Sequence, residues 1–145
     1  MYNSARAVFY APSDVSGIGG MHHERIRAVN SWYCGPPRYD CVFIEHDPNA
    51  LGVDYPCALV HWFSAVGEDP CTDTGMWIVK PDFHGREPGL AVVHIDCLLR
   101  GAHLIGVAGK EFVPVHDFDF SDSLDAFEAF YVNKYADHHA HEIAF

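Results

Sequence analysis

The densest set of potential metal ligands lies near the C-terminal end of the sequence, in Asp137-His-His-Ala-His-Glu142. On a helix, His138 shares a face with His141 and Glu142, because residues three and four positions apart are neighbours there. Two imidazoles and one carboxylate form the kind of donor set that binds zinc or non-haem iron. The alternative interpretation is a polar helix end, where histidine interacts favourably with the helix dipole.

His94 and Asp96 form a second candidate ligand pair, since the two-residue period of a strand places both side chains on one face. A His-x-Asp pair followed by a distal histidine has the order of the two-histidine, one-carboxylate iron triad, with His138 or His139 as the distal ligand. Two features count against an oxoglutarate-type oxygenase. The cosubstrate carboxylate requires an arginine or lysine after the distal histidine, and neither follows Lys134. The sequence also predicts too few strands for the double-stranded barrel of that class. The alternative is a structural pair without a metal.

Aromatic side chains in the middle of the chain could line a peptide-binding groove on a small barrel. The candidates are Tyr55, Trp62, Phe63 and Trp77. The alternative is that they pack in the core, because a domain of this size needs large apolar side chains there. The sequence has no Gly-x-Ser-x-Gly elbow, and no cysteine has a markedly basic sequence neighbourhood. It therefore predicts no nucleophilic centre.

A basic cluster precedes these aromatic residues. Its members are His22, His23, Arg25 and Arg27, with Arg38 beyond them. These side chains could contact phosphates or an acidic partner. The alternative is a solvated face whose charges pair with the acidic remainder of the chain. We predict that a short helix over Met21–Val29 carries the cluster.

Short β-type segments rich in Val, Ile, Phe and Trp recur along the chain and are separated by turn formers. Strands are predicted at Arg6–Tyr10, Asp40–Glu45, Cys57–Phe63, Met76–Lys80, Leu90–Asp96 and His103–Ala108, with a helical turn over Asp96–Ala102. Such a series favours a small antiparallel β-barrel or a strongly bent sheet, with residues 40–108 as the β-rich core. Residues 1–39 are expected to form an irregular segment with one short strand and one short helix.

The last segment of the sequence has a helical period. Leu124, Phe127, Tyr131 and Tyr135 form a stripe at helical spacing. We therefore predict one amphipathic helix over 122–142, which packs this stripe against the sheet. The predicted fold class is α+β, in one domain spanning 1–145, because a chain of 145 residues has the usual length of one domain.

Composition narrows the class of protein. The sequence is 49% hydrophobic, with no apolar run approaching the ~20 residues that cross a bilayer and no N-terminal secretory pattern. Its five cysteines include no Cys-x-x-Cys pair, which argues against a zinc ribbon. These features favour a soluble protein with reduced thiols, intracellular in the nucleus or cytoplasm, with no membrane partner.

The net charge of −11 is unevenly distributed. Residues 1–40 contain four arginines and three acidic residues, whereas residues 41–145 contain five basic and seventeen acidic residues. An acidic surface repels phosphate at long range, so nucleic-acid binding by the isolated domain is not expected. If nucleic acid is contacted at all, the N-terminal quarter is the expected site.

Eight sequence blocks stand out as a set. They are Ala7-Val-Phe-Tyr-Ala-Pro-Ser-Asp14, Gly17-Ile-Gly-Gly-Met21, Pro37-Arg-Tyr-Asp-Cys-Val-Phe43, Tyr55-Pro-Cys-Ala-Leu-Val-His-Trp-Phe63, Asp73-Thr-Gly-Met-Trp77, His94-Ile-Asp96, Ala102-His-Leu-Ile105 and Phe130-Tyr-Val-Asn-Lys-Tyr-Ala-Asp-His-His139. Together they resemble a domain near the C-terminus of large open reading frames in basidiomycete DNA transposons, of the Kyakuja–Dileera–Zisupton or CACTA-like (Plavaka) type. The resemblance runs through nearly the whole chain.

The resemblance implies an accessory region of a transposase protein, folded as a small barrel of BAH or SH3 type, with no catalytic role. The acidic residues of a transposase nuclease would lie elsewhere in the full-length protein. This sequence departs from the family pattern between Phe43 and Tyr55, where the family has a longer insert with an additional strand-like run. Loss of a strand leaves unpaired backbone edges, which implies a shortened copy of the domain. His141 stands where the family has an aromatic or small residue, which weakens the metal interpretation.

The predicted function is a non-enzymatic interaction module, derived from a fungal transposon-encoded protein, that binds a protein or chromatin component. No cofactor is predicted, and the identity of the protein partner is not indicated. The alternative is a metal-dependent hydrolase or oxygenase, with zinc or iron held by His94, Asp96 and His138.

Overall fold

A computed structural model describes residues 3–12, 19–45, 56–109, 119 and 122–144. Thirteen strands and one α-helix lie within these ranges. They are β1 Ser4–Tyr10, β2 Met21–Val29, β3 Arg38–Tyr39, β4 Val42–Ile44, β5 Cys57–His61, β6 Phe63–Ala65, β7 Ile78–Pro81, β8 Phe83–His84, β9 Glu87–Pro88, β10 Leu90–His94, β11 Leu98–Gly101, β12 Leu104–Gly106, β13 Phe130–Val132 and α1 His138–Ile143. No helix in the described part of the chain has the length and apolar character needed to cross a membrane.

The N-terminal sheet has the strand order β1-β2-β3. β1 and β2 pair antiparallel from Ser4 opposite Arg27 to Tyr10 opposite Met21. β1 alternates strictly, with Ala7 buried and its neighbours exposed, as expected for a strand with one face on the core. The predicted strand at Arg6–Tyr10 is confirmed and begins two residues earlier.

The short helix predicted over Met21–Val29 is wrong, because this segment is the central strand of the N-terminal sheet. The basic residues resemble a polar helix face when read alone. From Met21 to Ile26, however, burial follows a period of two, with Ile26 buried and Arg25 exposed. Pairing with β1 along seven registered residues satisfies the backbone groups on one edge of β2, and this tertiary contact outweighs local helix propensity.

The β4–β11 ladder packs on the core face of the N-terminal sheet. The buried cluster between the two layers consists of Ala7, Phe9, Ala11 and Ile26, with Val42 and Leu98 packed against it. β11 replaces most of the helical turn predicted over Asp96–Ala102. Only Ile95–Cys97 forms a single 3-10 turn, which His94 caps by accepting a hydrogen bond from the Asp96 amide.

A second sheet has the order β12-β13-β7-β6, and β5–β10 and β8–β9 form separate two-stranded ladders. The strand positions predicted from Cys57 to Ala108 are confirmed in type, with ends shifted by a few residues. The fold is α+β, and the described residues form mostly antiparallel sheet with one short α-helix. The sheets of the described residues do not close into a barrel.

The amphipathic helix predicted over 122–142 is wrong for most of its length. Phe130–Val132 forms β13, which pairs with β12 on one side and β7 on the other, and the helix α1 begins only at His138. Phe130 and Val132 are both buried with Tyr131 between them half-buried, so the aromatic spacing also fits a strand. Two ladders of hydrogen bonds decide between the two periods.

Candidate functional site

Four of the nine basic residues of the chain lie on the N-terminal sheet. They are Arg6, Arg25, Arg27 and Arg38, and we refer to them with Trp32 and Asp40 as the arginine surface. Arg6 and Arg25 stand directly opposite each other across β1 and β2, and both are exposed. Because side chains alternate along a strand, Arg27 lies on the same face as Arg25. This face is the one opposite the core.

Arg27 and Arg38 both stack on Trp32, with guanidinium carbons 4.8 and 5.1 Å from the ring centroid. Asp40 lies between the two arginines. Its Oδ1 accepts a hydrogen bond from Arg38 Nε at 2.8 Å, and its Oδ2 lies 3.9 Å from Arg27 Nη1. The indole and the carboxylate therefore hold two guanidinium planes in place, which reduces the entropy lost when a ligand binds them.

The charges of this surface are not balanced. Arg6 and Arg25 have no carboxylate partner among the described residues, and Asp40 alone faces Arg27 and Arg38. Like charges directly opposite each other on a sheet are destabilising. A cross-strand arginine pair that does not stabilise the fold is the arrangement expected of a surface that binds an anionic partner.

An open groove of about 680 Å³ runs along β2 beside this surface. Its lining includes β2 from His22 to Arg27 and residues 100–104. Arg38 and Asp40 also line it. The structure thus brings the basic cluster predicted from sequence into one concave site, together with Arg38 from the next strand.

His22 and His23 occupy opposite faces of β2. The ring of His22 lies on the core side, 5.2 Å from the ring of Phe9, whereas His23 is exposed on the side of Arg25. Only His23 therefore belongs with the arginine surface. Arg6 and Trp32 were missed by sequence reasoning, because the position of Arg6 opposite Arg25 depends on the register of β1 on β2.

Three of the aromatic candidates lie in the second sheet and at its border, and none of the three lines the groove. Phe63, Trp62 and Trp77 are half-buried. The Phe63 ring meets the buried Phe130 ring edge-on at 6.0 Å, and neither Trp62 nor Trp77 lines the groove along β2. Tyr55 lies outside the described residues. The contact with Phe130 is the kind expected of core packing.

The candidate metal ligands form two separate pairs. His94 Nδ1 lies 3.5 Å from Asp96 Oδ2, and His138 Nδ1 lies 3.3 Å from Glu142 Oε1 within α1. The His141 ring lies 6.1 Å from that of Tyr135. No group of three or more His, Cys, Asp or Glu placed to hold a metal occurs among the residues that the structure describes. The metal-dependent alternative stays a prediction.

Arg100 is the centre of a buried polar cluster that sequence reasoning missed. Its Nη1 and Nη2 donate to the two carboxylate oxygens of Asp137 at 2.7 and 2.8 Å, and its Cζ lies 4.7 Å from the Phe9 ring centroid. The His139 ring stacks on Phe9 at 4.5 Å. Glu24 Oε2 accepts a hydrogen bond from the Gly101 amide at 2.8 Å. This cluster fastens α1 and β11 to the N-terminal sheet.

Two cysteines differ sharply in acidity. Hydrogen bonds from the Thr74 hydroxyl, and then from the Thr74 and Asp73 amides, lower the pKa of Cys71. Burial, with a smaller effect of Asp40, raises the pKa of Cys41 to about 11. The turn-forming Asp73-Thr-Gly75 after Cys71 is the one sequence signal of this arrangement.

The geometry therefore supplies a basic groove with preset guanidinium groups, and it supplies no complete catalytic set among the described residues. Comparison with protein-family models, curated proteins and solved structures finds no match to this chain.

Proposed function

We propose that this chain is a non-enzymatic interaction module, derived from a fungal transposon-encoded protein, that binds an acidic protein segment through the arginine surface. The small barrel of BAH or SH3 type implied by the resemblance is part of the same proposal. The observation that carries the proposal is the cross-strand pair Arg6 and Arg25, exposed and without a carboxylate partner among the described residues.

Exposed arginines of this kind are available for bidentate hydrogen bonds to carboxylates, which are stronger than neutral hydrogen bonds. Arg27 and Arg38 add two guanidinium groups that Trp32 already orients. The concave groove beside them removes part of the ligand from water, which strengthens each charge-assisted contact.

The long-range charge of the chain favours a short acidic peptide over a nucleic acid. Residues 41–145 contain seventeen acidic and five basic residues. A polyanion that extends beyond the arginine surface would meet this acidic remainder and be repelled. A peptide with a few carboxylates confined to the groove would meet chiefly arginine.

The proposal is tested by fluorescence anisotropy with a labelled heptapeptide containing three glutamates, compared with the same peptide containing three glutamines. We expect binding of the glutamate peptide only. The variant Arg6→Gln/Arg25→Gln should weaken it at least about tenfold, because two charge-assisted contacts are lost. Arg86→Gln removes an exposed arginine outside the groove and should leave binding unchanged.

Two results would overturn the proposal. One is equal binding of both peptides, or an equal loss in the Arg86→Gln control. The other is tighter binding of single-stranded DNA than of the glutamate peptide under the same salt conditions, which would assign the surface to nucleic acid.

A further inference from the structure

We propose that the acidic segment binds as an additional antiparallel strand on the open edge of β2, with acidic residues at alternate positions opposite His23 and Arg25. This inference rests on the proposed function and adds to it the conformation and the sequence pattern of the partner. It follows from the direction of the backbone groups in β2 and from the side chains on its two faces.

The hydrogen bonds at the end of β2 define which backbone groups face the groove. The Arg27 amide donates to Asp40 Oδ2 at 2.9 Å, and the Arg27 carbonyl accepts from the Asp40 amide at 3.0 Å. The next amide, that of Ala28, points the other way and donates to the Asn3 carbonyl at 3.1 Å. Backbone groups alternate in direction along a strand. The amides and carbonyls of Arg25 and His23 therefore point towards the groove, like those of Arg27.

This edge of β2 lacks a strand partner over most of its length in the described part of the chain. β3 pairs only with Ala28 and Val29, and β1 occupies the other edge. The Arg25 carbonyl accepts one exposed contact from Arg27 Nη1 at 3.3 Å, which a strand donor can replace. Unpaired edges of this kind template pairing with an extended segment, which is the basis of strand addition.

The side chains on the two faces of β2 determine which residue types the bound segment carries at alternate positions. A residue paired directly with Arg25 projects its side chain to the face that carries Arg6, Arg25 and Arg27, so a carboxylate there is favoured. The peptide residues between these positions project their side chains to the other face of the sheet, where Glu24 lies beside the Gly101 amide. A carboxylate there would meet Glu24. The expected partner therefore alternates acidic and uncharged residues.

Strand addition requires backbone hydrogen bonds from a defined set of peptide residues. In an antiparallel pair, residues whose groups point towards each other exchange both bonds. Because the groups of His23 and Arg25 point to the groove, the acidic residues opposite them make these bonds and the uncharged residues do not. Methylation of the peptide nitrogen removes one donor and blocks the approach of the strand on that side.

The experiment compares three versions of a heptapeptide that alternates threonine and glutamate, with free amides, with N-methylated glutamates, and with N-methylated threonines. We expect N-methylation of the glutamates to weaken binding at least about tenfold, because two backbone bonds are lost. N-methylation of the threonines should change affinity less than about threefold, since those amides face away. The two methylated peptides have the same amino-acid sequence and the same number of carboxylates.

A second measurement uses amide hydrogen exchange followed by NMR on the full chain. Binding of the unmodified peptide should slow exchange at His23 and Arg25 and leave Ile26 unchanged, because the Ile26 amide points to β1.

Strand addition would be overturned if binding depended on Arg25 but both methylated peptides bound equally well, and if hydrogen exchange at His23 and Arg25 were not slowed. That outcome would leave the proposed function intact. A glutamate peptide that fails to bind would overturn both.

Discussion

Arg100 and Arg25 show what the same side chain does in two regions of one small protein. Arg100 is 7% exposed and bonded to both oxygens of Asp137, with Glu24 Oε2 at 3.8 Å from its Nε. Arg25 is exposed, faces Arg6 across the hairpin, and has no carboxylate partner among the described residues. Arg100 belongs to β11, which packs on the core face of the N-terminal sheet, whereas the Arg25 side chain lies on the opposite face.

The difference separates a structural role from a binding role. A charge taken out of water must be paired and hydrogen-bonded, and removing one partner leaves the other uncompensated. An exposed, unpaired arginine costs the fold little and contributes little to it. It keeps its hydrogen-bonding capacity for a partner. Pairing and burial therefore identify which arginines hold the layers together and which are available to a ligand.

The largest effect is expected from Arg100→Met. The substitution leaves Asp137 without its bidentate partner, so the free energy of unfolding should fall by about 2–3 kcal/mol. This is less than the roughly 3–5 kcal/mol of a fully buried pair, because the Asp137 side chain is 38% exposed and solvent screens it. Arg25→Gln should change stability by less than about 0.5 kcal/mol. Urea unfolding followed by tryptophan fluorescence measures both variants. Equal destabilisation by the two substitutions would remove the distinction between the two regions.

Thiol reactivity extends the comparison to two cysteines. Cys41 lies beside Asp40 of the arginine surface, and Cys71 lies in the loop between β6 and β7. At pH 8 the pKa of Cys41 at about 11 leaves roughly one molecule in a thousand as thiolate, whereas Cys71 has a pKa below 9.0. The greater intrinsic nucleophilicity of the more basic thiolate offsets part of this difference. Cys71 should therefore react with iodoacetamide at least about tenfold faster than Cys41.

Residue-resolved mass spectrometry during the labelling reaction measures the two rates. Thr74→Val removes the main hydrogen bond to the Cys71 sulfur and should slow Cys71 while leaving Cys41 unchanged. Faster labelling of Cys41 would show that the connection from β3 to β4 opens readily, and that the floor of the groove is less firmly packed than the Arg100 cluster.

The smallest expected effect is a loss of folding stability at acid pH. The Arg100 guanidinium lowers the pKa of Asp137 from 3.8 to about 2. Because the folded-state value is the lower one, the pair stabilises the fold above pH ~4, and this contribution is lost as the pH falls towards ~2. Solvent screens the partly exposed carboxylate, so the loss should be on the order of 1 kcal/mol.

Urea unfolding of the protein and of Asp137→Asn at several pH values between about 2 and 5 isolates this contribution from those of other carboxylates. The variant should lack the additional loss. A parallel pH dependence in the two proteins would contradict the assignment.

Much of the sheet could be predicted from sequence, and the reason is local. Residues such as Cys57–His61 and Leu90–His94 are short apolar runs bounded by turn formers, so strand propensity and chain punctuation agree there. Met21–Val29 and the segment from 122 to 142 were misread because polar or aromatic residues in them fit both a helical and a two-residue period. Only pairing with other strands decides between the two periods, and pairing leaves no signal within the segment itself.

The candidate site shows the same limit. The basic cluster was identified from composition alone, since two histidines and two arginines lie within Met21–Val29. Its division between two faces, and the cross-strand partner Arg6, follow from the register of β1 on β2. Arg100 stands in an apolar segment, and nothing in its neighbours indicates that Asp137, a distant residue, completes its hydrogen bonds.

The Arg100 cluster also bears on how the chain reaches its folded state. Its contacts join Phe9 to His139 and Glu24 to Gly101, so they have very large sequence separations. Such contacts raise the contact order, and folding rates fall as contact order rises. The β1–β2 hairpin can form from neighbouring residues, but its core face gains its covering layers only after β11 and α1 have arrived. Slow folding, compared with a fold of the same length built from local contacts, is the kinetic consequence of fastening the layers at one buried arginine.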